Sequence, residues 1–132
     1  MVKLVKDFMI EKKEIVTPED SVSSAIELMI ENDIGSVVVE DIKKNKVVGI
    51  FTERDILRRF MSNRDRFVNM TIAEVMTSPV VTVSEDTALA DAIRLMKKHD
   101  VSRLPVVDDK GSVVGILFWK NIFDICCCNK VE

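Results

Sequence analysis

The 132-residue chain contains no tyrosine and a single histidine, His99. That scarcity removes most nucleophile–base pairs and most transition-metal ligand sets before any motif is sought. Glycine is sparse too: the four copies, Gly35, Gly49, Gly111 and Gly115, form no G-x-G-x-x-G loop of the kind that cradles phosphate. The longest uncharged stretch, Val75 to Ser84, is about ten residues, roughly half of what a membrane-crossing helix needs. No secretory leader is expected, because Lys3, Lys6 and Asp7 interrupt the apolar start. Cysteine is confined to one run, Cys126, Cys127 and Cys128. An odd, consecutive set is no disulfide framework, and it lacks the C-x-x-C spacing and fourth ligand of a zinc site. Burial of one or two of them as small apolar residues at a helix end is the simpler reading. Intermolecular metal or redox chemistry is the alternative. A cytoplasmic protein is expected.

What the chain does have is the composition of a packed globular protein, 47% hydrophobic and 31% charged. Lys plus Arg is 19 and Asp plus Glu is 22, a formal net charge of −3. This balance argues against a general nucleic-acid or anionic-membrane binder. Arg54, Arg58, Arg59, Arg64 and Arg66 nevertheless concentrate positive charge in the middle of the chain. They read first as a solvated helix face and linker, and otherwise as a surface for a polyphosphate tail or an acidic partner.

The strongest signal is internal repetition. Ala25-Ile26-Glu27-Leu28-Met29 returns as Ala92-Ile93-Arg94-Leu95-Met96, 67 residues on, and Val47-Val48-Gly49-Ile50 returns as Val113-Val114-Gly115-Ile116, 66 residues on. Met9 matches Met76, Val16-Thr17 matches Val83-Ser84, and Val39 matches Val106. Such a period marks two copies of one supersecondary unit, divided here as 1–66 and 67–132. Each copy opens with a β-rich stretch, Glu14 to Val16 or Val80 to Val83. A helix-start signal follows, Thr17-Pro18-Glu19-Asp20 or Ser84-Glu85-Asp86-Thr87. Val22, Ala25, Ile26, Met29 and Ile30, and then Leu89, Ala92, Ile93 and Met96, have the spacing of one buried helix face. Two β-branched runs come next: Val37 to Val39 with Val47 to Phe51, and Leu104 to Val107 with Val113 to Phe118. A closing helix is predicted over Glu53 to about Met61, and over Lys120 to about Cys127. The fold class is therefore α+β: two βαββα repeats, each marginal for burying an independent core, packed sheet to sheet about a pseudo-twofold axis. Two symmetry-related clefts are expected at the join.

The Ala-Ile-x-Leu-Met helices, the strand Ser102-Arg103-Leu104-Pro105-Val106-Val107 and the segment Val48-Gly49-Ile50-Phe51-Thr52-Glu53-Arg54-Asp55 resemble a tandem pair of cystathionine β-synthase (CBS) domains, a Bateman module. The last segment matches the family's G-h-h-[ST]-x-x-D signature, and the resemblance runs from about Lys6 to Cys127. It implies a regulatory binding role; a stand-alone module is expected, and not an enzyme, since no nucleophile–base pair is apparent. Its ligand would be adenosine-containing (AMP, ADP, ATP or S-adenosylmethionine), and its assembly a disc-like homodimer acting on an unknown partner.

Thr52 and Asp55, three residues apart, share one face of a first helical turn. A carboxylate there can accept both hydroxyls of a ribose diol, and Thr52 can donate to phosphate at a helix N-terminus. Spacing alone favours a plain cap, with Asp55 complementing the positive helix end. The resemblance favours ligand contact and implies that Val101, Ser102 and Arg103, with Val81, line the rest of the same site. Arg103 would reach a phosphate; its alternative is a surface pair with Asp100. At the matching positions of the other cleft stand Ser36, Phe118 and Asn121, each weaker for a nucleotide, so one functional site per chain is expected. His99 reads as a solvated residue at a helix end rather than a ligand contact, and Trp119 as an interface or core residue rather than a base-stacking platform. A ligand-independent dimerisation or docking module is the competing function.

Overall fold

The structure, a computed structural model, describes residues 2–11 and 14–128, leaving out the side chains of 127 and 128. In chain order the elements are β1 (Ile10–Glu11), β2 (Ile15–Val16), α1 (Val22–Glu31), β3 (Ser36–Asp41), β4 (Lys46–Thr52), α2 (Glu53–Phe60), α3 (Ile72–Val75), β5 (Val83–Ser84), α4 (Leu89–His99), β6 (Arg103–Val107), β7 (Val113–Phe118) and α5 (Trp119–Phe123). A π-helical turn, Asp124–Cys128, ends the described chain.

Two compact units carry these elements, one formed by 14–80 and the other by 1–13 together with 81–132. In the first, the sheet order is β2-β3-β4, with β2 parallel and β4 antiparallel to β3. Val37, Val38 and Val39 are all buried, as suits a central strand whose two faces are both covered. Val22, Ala25 and Met29 of α1 join Phe51, Phe67, Met70, Ile72 and Val75 in its core. The second unit repeats this plan, β5 parallel and β7 antiparallel to β6, with β1 added on the outer edge of β7. Even the register irregularity recurs, at Val39/Glu40 and at Val106/Val107.

The packing groups the residues otherwise than by a division into 1–66 and 67–132. Segment 2–11 packs in the second unit, and the stretch around α3 packs in the first. The backbone shows how. Val22 N–H donates to the Met70 carbonyl at 2.9 Å and Ile72 N–H to that of Asp20 at 2.8 Å. In the second unit Leu89 N–H donates to Lys3 at 2.8 Å and Val5 N–H to Thr87 at 2.9 Å. Each of these residues lies 67 positions from its counterpart, so the duplication includes the segment that leads into each repeat.

Several local expectations shift. Ile30 is 74% and Ile93 37% exposed, because the buried stripe is narrower than the apolar pattern and one residue further turns the side chain about 100° away. Thr17-Pro18-Glu19-Asp20 is a turn, its Thr17 N–H held by Asp20 Oδ2 at 2.9 Å, and Ser21 is the true N-cap of α1, accepting from Ser24 N–H at 3.1 Å. The β-rich stretches shrink to β2 and β5, and the last helix stops at Phe123 before its π turn. Cys126 is half-buried and packs on the core of its unit, as a small apolar residue does. The expectations for the Cys127 and Cys128 side chains lie outside the described residues.

Gly49 and Gly115 are the close-approach points of the repeat. A Cβ on Gly115 would lie 2.7 Å from the Ile10 carbonyl oxygen and 2.8 Å from Met9 Sδ; on Gly49 it would lie 2.5 Å from Met76 Sδ and 3.0 Å from the Thr77 carbonyl oxygen. Gly115→Ala must displace paired backbone of β1 and is expected to cost about 1–3 kcal/mol. Gly49→Ala, whose tightest contact is a flexible side chain, is expected to cost less. Urea unfolding of the two variants checks the order; a neutral Gly115→Ala would contradict the placement of β1.

Candidate functional site

Strand β4 gives way to α2 at Thr52, still extended at φ −128°, ψ 169°. This residue is the N-cap of α2 and Asp55 is the third helical residue, so the two side chains close a reciprocal cap. Thr52 N–H donates to Asp55 Oδ2 at 2.9 Å, the Thr52 hydroxyl lies 3.3 Å from the same oxygen, and Asp55 N–H reaches Thr52 Oγ1 at 3.4 Å. Glu53 N–H donates to the Gly35 carbonyl at 3.1 Å, tying the junction to the loop before β3. Glu53 and Asp55 sit in the first turn of α2 and Arg58 and Arg59 in the last, each sign at the end where the helix dipole favours it.

A third segment completes the carboxylate's shell. Thr77 exchanges two backbone hydrogen bonds with Ile50 of β4, at 3.2 and 2.9 Å. Its hydroxyl donates to Asp55 Oδ1 at 2.8 Å. Asp55 is 3% exposed, whereas Thr77 and the arginines 54, 58 and 59 face solvent. The capping alternative read from the sequence is thus realised, and Asp55 is in addition a buried acceptor served by hydroxyl donors. Thr77 was missed by sequence reasoning. Its available signal was a polar-for-apolar exchange, since the repeat pairs Thr77 with Ile10: each bridges to the Ile50 or Ile116 position of its own unit.

The equivalent junction of the second unit keeps the backbone and loses the chemistry. Trp119 N–H donates to the Ser102 carbonyl at 3.1 Å, as Glu53 does to Gly35. Phe118 is the N-cap of α5 and makes no side-chain capping bond. Asn121 stands in for Asp55 and Ile10 for Thr77. Across the β6–β7 pair, Arg103 faces Phe118, and its guanidinium carbon lies 4.1 Å from the ring centroid. A cation held over a ring face is stabilised by about 0.5–2 kcal/mol. The aromatic row continues from Phe118 to Trp119 at 6.3 Å and Trp119 to Phe123 at 6.5 Å between centroids. Trp119 is 51% exposed, which sets aside the core reading.

Of the site residues named from sequence, Thr52 and Asp55 belong to the first unit and touch each other. Val81, Val101, Ser102 and Arg103 belong to the second. There Val81 and Val101 pack on the core, and Arg103 opens β6. His99 is exposed at the end of α4. Arg66 donates to Asn63 Oδ1 at 3.0 Å and, like Arg64, is exposed, in keeping with a solvated face. Among the described residues no group of three or more His, Cys, Asp or Glu is placed to hold a metal ion, and no helix is long and apolar enough to cross a membrane.

The cap makes a prediction independent of any ligand. Asp55→Ala strips acceptors from Thr52 and Thr77 and is expected to lower stability by roughly 1–3 kcal/mol. Asn121→Ala at the matching position should cost less. Denaturant midpoints of the ligand-free variants decide it, and equal losses would contradict the asymmetry.

Comparison with known proteins identifies the fold and the family. The CBS domain profile matches twice, over residues 5–62 and 72–126. The CBS domain pair of protein MJ0100, solved in complex with 5′-methylthioadenosine and S-adenosyl-L-methionine, superposes with a TM-score of 0.86 at 30% identity, covering 98% of this chain and 99% of that one. CBSX2, solved in complex with AMP, gives a TM-score of 0.79 at 29% identity over 97% of this chain and 98% of that one. Inosine-5′-monophosphate dehydrogenase from Streptococcus pyogenes is 41% identical over 81% of this chain, which corresponds to 21% of the enzyme. The chain spans 59%, 60% and 21% of the lengths of three curated relatives it matches. With two βαββα units and a family match over both, the chain belongs to the CBS domain family.

Proposed function

We propose that the protein is a regulatory module that binds one adenosine-containing ligand per chain, AMP, ADP, ATP or S-adenosylmethionine, and passes its presence to a partner. One observation carries the reading: a buried carboxylate at the end of β4 whose donors include two hydroxyls, with no equivalent at the end of β7. A ribose offers the same pair of donors, so Asp55 is assigned to the 2′ and 3′ hydroxyls. Thr52 belongs to the site through its hold on Asp55. Arg103 is assigned to a ligand phosphate or carboxylate and arrives already oriented on Phe118. Val81, Val101 and Ser102 are assigned to the base and its surroundings. The complexes of MJ0100 with 5′-methylthioadenosine and S-adenosyl-L-methionine and of CBSX2 with AMP support the ligand class. The second set of positions, Ser36, Phe118 and Asn121, is assigned no nucleotide.

The module is read as cytoplasmic and non-catalytic. The likeness to part of a dehydrogenase supports the regulatory role; an enzyme or transporter is the partner of the competing docking function. A second copy of the chain is the occupant we assign to the exposed Trp119 and Phe123. The same residues, with Leu57 at 76% and Met61 at 62% exposure, also favour the competing function of ligand-independent dimerisation or docking.

Titration calorimetry separates the two. Wild-type protein is expected to bind AMP or S-adenosylmethionine at a stoichiometry near one, and Asp55→Ala to lose about 1–3 kcal/mol of that binding, the scale of a charge-assisted bond left unmade. Arg103→Ala should weaken AMP and leave adenosine nearly untouched. A thermal shift of zero at millimolar concentrations of every adenosine compound would favour the docking function instead.

A further inference from the structure

Resting on the ligand reading above, we propose that Thr77 is an internal competitor for the ligand's hydroxyls. Its side chain holds one acceptor position of Asp55 Oδ1, and it turns away when the two hydroxyls of a ribose take both positions of that oxygen. A carboxylate offers roughly four acceptor positions. Thr52 engages Oδ2 through both its N–H and its hydroxyl, at 2.9 and 3.3 Å. The Thr77 hydroxyl holds Oδ1 at 2.8 Å. Since Asp55 is 3% exposed, bulk water is not what a ligand displaces there; the Thr77 hydroxyl is.

The surroundings make the exchange easy. The backbone of Thr77 is pinned to Ile50 by two hydrogen bonds, at 3.2 and 2.9 Å, so a rotation about χ1 is the only movement needed. Thr77 itself is exposed, and the released hydroxyl finds water at once. The carboxylate therefore keeps a donor in both states, from the protein when empty and from the ligand when occupied. Its cost is affinity: the measured constant is the intrinsic one reduced by the fraction of molecules whose Thr77 has let go. Thr77 is thus a positioning residue that tunes the threshold at which the module responds.

Thr77→Val keeps the shape and the β-branch and removes the donor. Calorimetry with AMP and with S-adenosylmethionine is expected to show Thr77→Val binding about threefold to tenfold tighter than wild type. The ligand-free variant should meanwhile unfold at a lower urea midpoint, and Thr77→Ser should restore wild-type values of both. In an Asp55→Ala background the Thr77 substitution should change neither, as a double-mutant cycle requires. Equal or weaker binding by a folded Thr77→Val, or an unchanged urea midpoint, overturns the competitor role while leaving the site standing. Wild-type protein that binds neither compound overturns the site, and this inference with it.

Discussion

A carboxylate that is 3% exposed is tolerable only if donors surround it, because the cost of an unpartnered buried charge exceeds what one helix can offset. At Asp55 the donors come from two stretches of chain, the end of β4 and the segment 22 residues further on that contains Thr77. That arrangement fixes the N-terminus of α2, places Thr77 against β4, and leaves a charged acceptor at a strand–helix junction. Local structure and the proposed binding chemistry rest here on the same set of hydrogen bonds.

The duplication separates what both units keep from what only one of them has. Both units keep the glycine against methionine, the loop carbonyl that receives the first helical N–H, and the bulge in the central strand. These are backbone requirements, and a repeat that lost them would not close. The side chains at the junction are free to diverge. Thr52, Asp55 and Thr77 in one copy stand opposite Phe118, Asn121 and Ile10 in the other. Phe118 cannot cap α5, yet it gives Arg103 a platform at 4.1 Å. One copy has become an acceptor of hydroxyls and the other the holder of a fixed positive charge.

Much of the fold was legible because its signals are local. The helical stripes and β-branched runs located α1, β3, β4 and their copies, and the 66- and 67-residue offsets doubled the plan. The family signature drew attention to Thr52 and Asp55. Three things were not legible. β1 and α3 are two and four residues long, too short for periodicity to register. A repeat period cannot say on which copy a linking segment packs, since 2–11 suits either core by composition alone. Thr77 depends on a hydrogen bond across 22 residues, which no window of sequence contains. Ile30 and Ile93 erred in the opposite direction: apolar residues at helical spacing whose angular position lies just past the edge of the buried stripe.

The central claim is that a ribose diol satisfies the Asp55 carboxylate. It is tested most directly on the unaltered protein, by comparing the calorimetric affinity of AMP with that of its 2′,3′-dideoxy counterpart. Without the hydroxyls, the carboxylate gains no donor from the ligand, and affinity is expected to fall at least tenfold, about 1.4 kcal/mol. Indistinguishable affinities for the two compounds would mean that the sugar is bound elsewhere, and the account of this junction as the ligand anchor would be wrong.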